Sequence, residues 1–136
     1  MALIYLDTSA VIKLFKAEAE TAALEDWLTR QGSFAVLTSD LTRTELRRAL
    51  AACEVAEDIR READEWLDDC ALVRLRPAVF DRAGRLPYTG RLRSLEALHC
   101  AAALSLGQAV RYFVAYDKRL VECAEALRLP VVSPGR

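Results

Sequence analysis

The chain has 136 residues, of which 53% are hydrophobic and 29% charged, with a formal net charge of −1. These values exclude a disordered chain and suit a single domain, 1–136, long enough to bury a real core. The near-neutral balance gives no overall pull toward nucleic acid, so any such partner must be recognised through a local patch.

In chain order, "ALIYL" reads as a strand and "TSAVIKLF" opens a helix. "EAETAALEDWLTRQG" is a second helix, ending at Gly32 as helices often do. "SFAVLT" is the next strand, and "SDLTRTELRRALAAC" a helix capped by Ser39 or Asp40. "EDIRREADEWLDDC" is another helix, and "ALVRL" the third strand. A short helix over 77–83 leads into "GRLPYTGRLR", whose glycines and proline mark a loop. "SLEALHCAAALSLG" is a helix capped by Ser94, "RYFVAY" the fourth strand, "DKRLVECAEALR" a helix and "PVVS" a fifth strand. Strands joined by helical connections predict an α/β fold, a parallel sheet with helices on both faces. The continuous apolar strands agree, since both faces of such a sheet are covered.

The apolar start is short and lacks a basic flank, so it does not read as a secretory signal. The most apolar later stretch, 95–110, contains Glu96, His99 and Gln108 and is too short to span a bilayer. A soluble cytoplasmic protein is the expectation. The four cysteines, Cys53, Cys70, Cys100 and Cys123, form no C-x-x-C pair. That argues against zinc or a disulfide framework and predicts small, reduced core residues.

Ligands of such sheets bind outside the carboxyl ends of the strands. Two strands end in an acid there, "LIYL" at Asp7 and "YFVAY" at Asp117. Glu45 lies about two turns into the helix after the second strand. Glu96 sits in the first turn of a helix running antiparallel to the strands, so its start reaches the same rim. Each acid has a plainer alternative. Asp7 and Asp117 could be helix caps, Glu96 a first-turn residue favouring the dipole or a partner of Arg91 or Arg93, and Glu45 a surface partner of Arg48. Convergence of all four favours one shared site. Carboxylates without histidine or thiolate are hard oxygen ligands suited to Mg²⁺ or Mn²⁺, which can activate a water for in-line displacement. His99, the only histidine, falls on an apolar helix and is expected to be a satisfied core imidazole rather than a base.

The segment "RAGRLPYTGRLR" supplies Arg82, Arg85, Arg91 and Arg93 with no acid, and Tyr88 among them. Guanidinium groups bind phosphates and a tyrosine can stack an unpaired base. Arg47, Arg48, Lys118 and Arg119 also flank acids. Carboxylates ringed by cations describe a phosphodiester site.

At these residues the chain resembles the PIN-domain ribonucleases of the VapC toxin type. The matching motifs are "YLDTSAVIKLF", "SDLTRTELRRAL", "LRSLEALHCAAAL" and "FVAYDKRL", in order over nearly the whole chain. The resemblance implies a three-layer α/β/α sandwich with a five-stranded parallel sheet and a carboxylate site for Mg²⁺ or Mn²⁺. It implies endonucleolytic cleavage of RNA, commonly tRNA or an rRNA loop, a homodimer, and silencing by a cognate antitoxin. Asp7, Glu45 and Asp117 match family acids, and Ser9 matches a polar residue that helps hold the site; it is also a candidate substrate contact with Arg85, Arg91 and Arg93. Glu96 stands where the family most often has Asp. The expected mechanism is metal-activated water attacking in line, with Asp7, Glu96 and Asp117 holding the ion. Glu45 would ligate it or orient the water, leaving a 5′-phosphate and a 3′-hydroxyl.

An amphipathic antitoxin helix could dock in a groove among Val11, Leu14, Phe15, Trp27 and the helices of 39–69, although most of these side chains should be core. The main rival is a PIN-fold module that has lost catalysis and acts through a protein partner. A phosphatase of the HAD type would need a second Asp where Ser9 stands, and a receiver-like phospho-acceptor domain would need paired acids early in the chain.

Overall fold

The structure is a computed structural model describing residues 2–87 and 92–136. Five strands form one sheet: β1 (Leu3–Leu6), β2 (Ala35–Ser39), β3 (Ala71–Val73), β4 (Val110–Val114) and β5 (Val131–Val132). All pair in parallel, in the order β3-β2-β1-β4-β5. The chain first lays strands to one side of β1 and then crosses to the other. The strand order therefore reverses between β1 and β4, where such sheets open a crevice. Asp7 and Asp117 follow those two strands.

Among the described residues, seven α-helices cover the sheet. Alternation along β1 sorts the core: Ile4 and Leu6 face one side and Tyr5 the other. On the first face, Ile4, Leu6 and Val114 pack with α1 (Thr8–Phe15), α2 (Thr21–Arg30), α3 (Asp40–Ala52) and α4 (Glu57–Asp69), through Val11, Leu24, Leu46, Leu50 and Leu67. On the second, Tyr5 and Phe113 meet α5 (Pro77–Arg85), α6 (Ser94–Leu104) and α7 (Lys118–Ala126). Opposite faces for the two halves follow from right-handed crossovers running in opposite directions from β1. The Tyr5 and Phe113 rings stack, with centroids 5.2 Å apart. Full burial of side chains of this size contributes about 1.5–3 kcal/mol each, so the central pair of strands is the best anchored part of the sheet.

The α/β/α sandwich and its five parallel strands agree with the reading from sequence; the element ends differ. The third strand stops at Val73, because an edge strand pairs on one side only and Arg74 turns to solvent-facing chain. Helix α6 begins at Ser94, with Arg93 rather than Ser94 in the capping position. Ser39 precedes α3 but makes no side-chain cap bond, while Asp40 Oδ2 accepts from the Leu75 amide at 3.3 Å. Of the four cysteines, Cys100 and Cys123 are buried as expected. Cys70 is only half-buried and Cys53 is exposed, since α3 has passed its last buried residue, Leu50, before Cys53. Among the described residues, no helix is long and apolar enough to cross a membrane.

Val11 is buried in the first-face core, and Leu14, Phe15 and Trp27 pack half-buried against it. Phe15 meets Trp66 edge-on at 6.0 Å, and Trp27 meets Tyr112 at 5.1 Å. The depression between α3 and α4 is lined largely by charge, with Arg47, Glu57, Arg60, Arg61 and Asp64 around Leu50.

Candidate active site

Asp7, Glu45, Glu96 and Asp117 all line one cavity of about 490 Å³ at the carboxyl ends of β1 and β4. Each arrives from a different element: the end of β1, the interior of α3, the first turn of α6 and the loop after β4. The capping and ligand readings of the two aspartates prove compatible. Asp7 caps α1, its Oδ1 accepting from the Ala10 amide at 3.1 Å and the Ser9 hydroxyl at 2.7 Å. Asp117 caps α7 through Oδ1, which accepts from the Leu120 amide at 3.0 Å. Both caps employ one carboxylate oxygen, so the cap does not consume the group.

Asp7 is only 3% exposed. Burial pushes its carboxyl above the ordinary range, against the opposing pull of His99, the Ser9 hydroxyl and the Ala10 and Ser9 amides. A charge held there at neutral pH calls for a cationic neighbour. Ser9 is committed on both sides: it donates to Asp7 and accepts from the Tyr116 amide at 3.1 Å. Tyr116 is in turn fixed by its hydroxyl bond to the Pro134 carbonyl at 2.8 Å and by Arg136, which donates to its backbone oxygen. The C-terminal residues thus brace the strand end that carries Asp7. Ser9→Ala is expected to lower stability by about 1–2 kcal/mol, measured by urea unfolding, because the Tyr116 amide loses its acceptor.

A buried polar network holds Glu45. Its Oε1 accepts from the Thr8 hydroxyl at 2.6 Å and from His99 Nε2 at 2.8 Å. The other ring nitrogen of His99 is bonded to the Tyr5 hydroxyl at 2.8 Å. Because an ionised carboxylate only accepts, the His99 proton is assigned to Nε2. Thr42 joins Thr8 at 3.1 Å and Thr38 at 2.7 Å, extending the network into α3 and β2. Burial raises the Glu45 carboxyl, but the hydrogen bonds from His99 and Thr8 and the attraction of the ring outweigh it, and the group lies below the ordinary range. Both bonds end on Oε1, leaving Oε2 outside the network.

His99 is therefore the satisfied, buried imidazole expected from its apolar helix, at 3% exposure. It is also a wall of the acid cavity and the orienting partner of Glu45, which the sequence reading missed. Its spacing of one helical turn from Glu96 was the available signal, since that places both on one face. Nothing in sequence linked either residue to Thr8 or Tyr5.

Glu96 is held less completely. Its Oε1 accepts from the Arg93 amide at 3.3 Å, the ordinary service of a first-turn glutamate, and lies 3.7 Å from Arg119 Nη1. Among the described residues, its Oε2 is buried without a hydrogen-bond partner. An orphaned carboxylate oxygen beside a desolvated Asp7 fits a divalent cation by donor chemistry. Among the described residues, however, no three acid, histidine or thiol side chains gather into a metal-holding group. Mg²⁺ needs no such cage, since it keeps several waters and takes one or two carboxylates. The residues present fit that mode of binding rather than a closed protein cage.

Of the cationic candidates, Arg93 lines the cavity. Arg85 is exposed at the end of α5 and is not among the residues lining it. Arg91 and Tyr88 lie outside the described residues. Arg119, beside Asp117, reaches the cavity as well.

The PIN-domain family model matches residues 4–126. Ribonuclease VapC35 of Mycobacterium tuberculosis is 38% identical over 141 residues, covering 98% of each chain. Ribonuclease VapC46 of the same organism is 38% identical over 137 residues, covering 99% of this chain and 100% of the other. Among solved structures, Mycobacterium tuberculosis VapC20, described as a toxin that cleaves the sarcin-ricin loop, aligns with a TM-score of 0.77. That alignment covers 96% of this chain and 99% of the other at 17% identity, a likeness of fold.

Proposed function

The chain belongs to the PIN-domain family and, within it, to the VapC ribonucleases, and from that premise we propose that it is an RNA-cleaving toxin dependent on Mg²⁺ or Mn²⁺. The observation that carries the reading is the meeting of Asp7, Glu45, Glu96 and Asp117, from four elements, around one cavity at the sheet's switch point. Asp7, Glu96 and Asp117 would hold the ion, directly or through its waters. When bound there, the ion would supply Lewis acidity for activating a water and for the leaving oxygen of a phosphodiester. Glu45, anchored through Oε1 by His99 and Thr8, has its second oxygen available to orient the attacking water. Ser9 holds Asp7 in place. The products are a 5′-phosphate and a 3′-hydroxyl.

The alternative ribonuclease chemistry, attack by the RNA's own 2′-hydroxyl, needs a positioned acid and base. This chain has one histidine, and both of its ring nitrogens are engaged inside the protein. A tRNA or rRNA target and a cognate antitoxin complete the proposal. A homodimer would cover the exposed Phe80 on α5 and Leu95 on α6, at 49% and 50% exposure. The rival reading is a non-catalytic PIN module acting through a protein partner.

Purified protein incubated with total bacterial tRNA and rRNA separates these. Cleavage should appear with Mg²⁺ or Mn²⁺, stop with EDTA, and leave 5′-phosphates that RNA ligase can join. Cleavage persisting in EDTA with cyclic phosphate ends would contradict the mechanism, and no cleavage with either metal would favour the binding module.

A further inference from the structure

The contact between Glu96 and Arg119 is poor for an arginine–carboxylate pair. A well-formed pair engages two N–H groups with both oxygens. Here Nη1 stands 3.7 Å from Oε1, and among the described residues neither Oε2 nor the buried Arg119 Nε has a hydrogen-bond partner. Opposite charges face one another while each keeps hydrogen-bonding capacity unused. The side chains are 16% and 33% exposed, so water does not fully replace the missing bonds.

Arg119 also belongs to two cavities at once. It lines the acid cavity, and it lines an adjoining pocket of about 300 Å³ with Arg93, Lys118, Asp117 and Glu122. Three cations therefore border the space beside the acids. Arg119 thus borders the glutamate on one side and that second pocket on the other.

We propose that Arg119 is an exchangeable counter-ion. It neutralises Glu96 while no divalent cation is bound. When a cation takes Glu96, Arg119 turns to the adjoining pocket and binds an RNA backbone phosphate there, beside Arg93 and Lys118. The phosphate half rests on the ribonuclease reading; the exchange at Glu96 does not. No covalent step is involved. The loose pairing has a physical use on this account: a tight bidentate fork would compete too strongly with the cation, whereas an open site would leave a buried carboxylate without any partner.

Arg119→Gln tests both halves by opposite signs. Mn²⁺ binding to the RNA-free protein, measured by isothermal titration calorimetry, should tighten about fivefold or more, because a competing cation is gone. Binding of a single-stranded oligoribonucleotide, measured with Ca²⁺ in place of the catalytic metal, should weaken about tenfold. Its dependence on log salt should become shallower by about 0.7. Arg119→Lys retains the charge and should keep Mn²⁺ affinity near that of the unaltered chain. Weaker binding of both Mn²⁺ and RNA by Arg119→Gln would make Arg119 a structural strut and overturn the proposal, as would no change in either. If the unaltered chain binds no RNA with either metal, the ribonuclease reading fails by itself, and the Mn²⁺ titration still decides the exchange.

Discussion

Asp7→Asn is expected to remove RNA cleavage while leaving the protein as stable as before, or more so. The rate should fall at least about 10²-fold, the scale of losing one group aimed at developing charge. The stability expectation follows from what Asp7 does in the fold. Its Oδ1 accepts from Ala10 and Ser9, and an asparagine supplies the same oxygen and caps a helix about as well. What disappears is a nearly fully buried negative charge whose desolvation is incompletely compensated. A gain of about 0.5–2 kcal/mol is in keeping with removal of strain held at a working site. Thermal unfolding in EDTA, beside a cleavage assay, measures both. A variant that is inactive because it is unfolded would contradict the account, and so would one that cleaves at the original rate.

The second large effect is expected at a residue that never touches substrate. His99→Ala should cost about 3 kcal/mol or more of stability, since it empties a buried site and strands the Tyr5 hydroxyl without its partner. Cleavage should fall about 10–100-fold, the usual range when a supporting partner of a metal-site carboxylate is lost. The graded control is Tyr5→Phe. It keeps the ring stacked on Phe113 and removes only the hydroxyl, so about 1 kcal/mol is expected. Because Glu45 keeps both of its bonds in that variant, its rate should stay much closer to the original. Equal rate losses in the two variants would mean that the network acts as bulk packing rather than as the anchor of Glu45. Denaturant unfolding and initial rates at saturating metal make the comparison.

Much of this arrangement was legible because the acids obey simple placement rules. A continuous apolar strand running into Asp7, and another into Asp117, identifies the carboxyl edge of a parallel sheet. Glu96 could be placed on the same edge from the direction of α6. The boundaries were less legible where local signals compete. Ser94 is a good capping residue, yet the chain puts Arg93 in the cap position and lets Glu96 accept its amide. Cys53 continues an apolar spacing along α3 but falls after the last buried turn.

The polar network was not legible at all. Thr8, Thr38 and Thr42 are ordinary strand and helix-start residues until α1, β2 and α3 are brought together. The Thr8–Thr42 bond crosses between elements far apart in sequence, and no local pattern encodes such a partner. The same applies to Arg119, whose charge was visible beside Asp117 but whose counterpart on α6 was not. Among the arginines of the loop before α6, only Arg93 is placed at the cavity by the described residues, because it abuts the helix that carries Glu96.

The most direct test of the central claim is to map new RNA 5′ ends across a bacterial transcriptome after inducing this protein, with Asp7→Asn as the parallel control. The account predicts discrete new 5′-phosphate ends with the unaltered chain and none with Asp7→Asn at equal soluble levels. Identical maps from two soluble proteins, or the same new ends in both, would contradict a carboxylate-dependent ribonuclease.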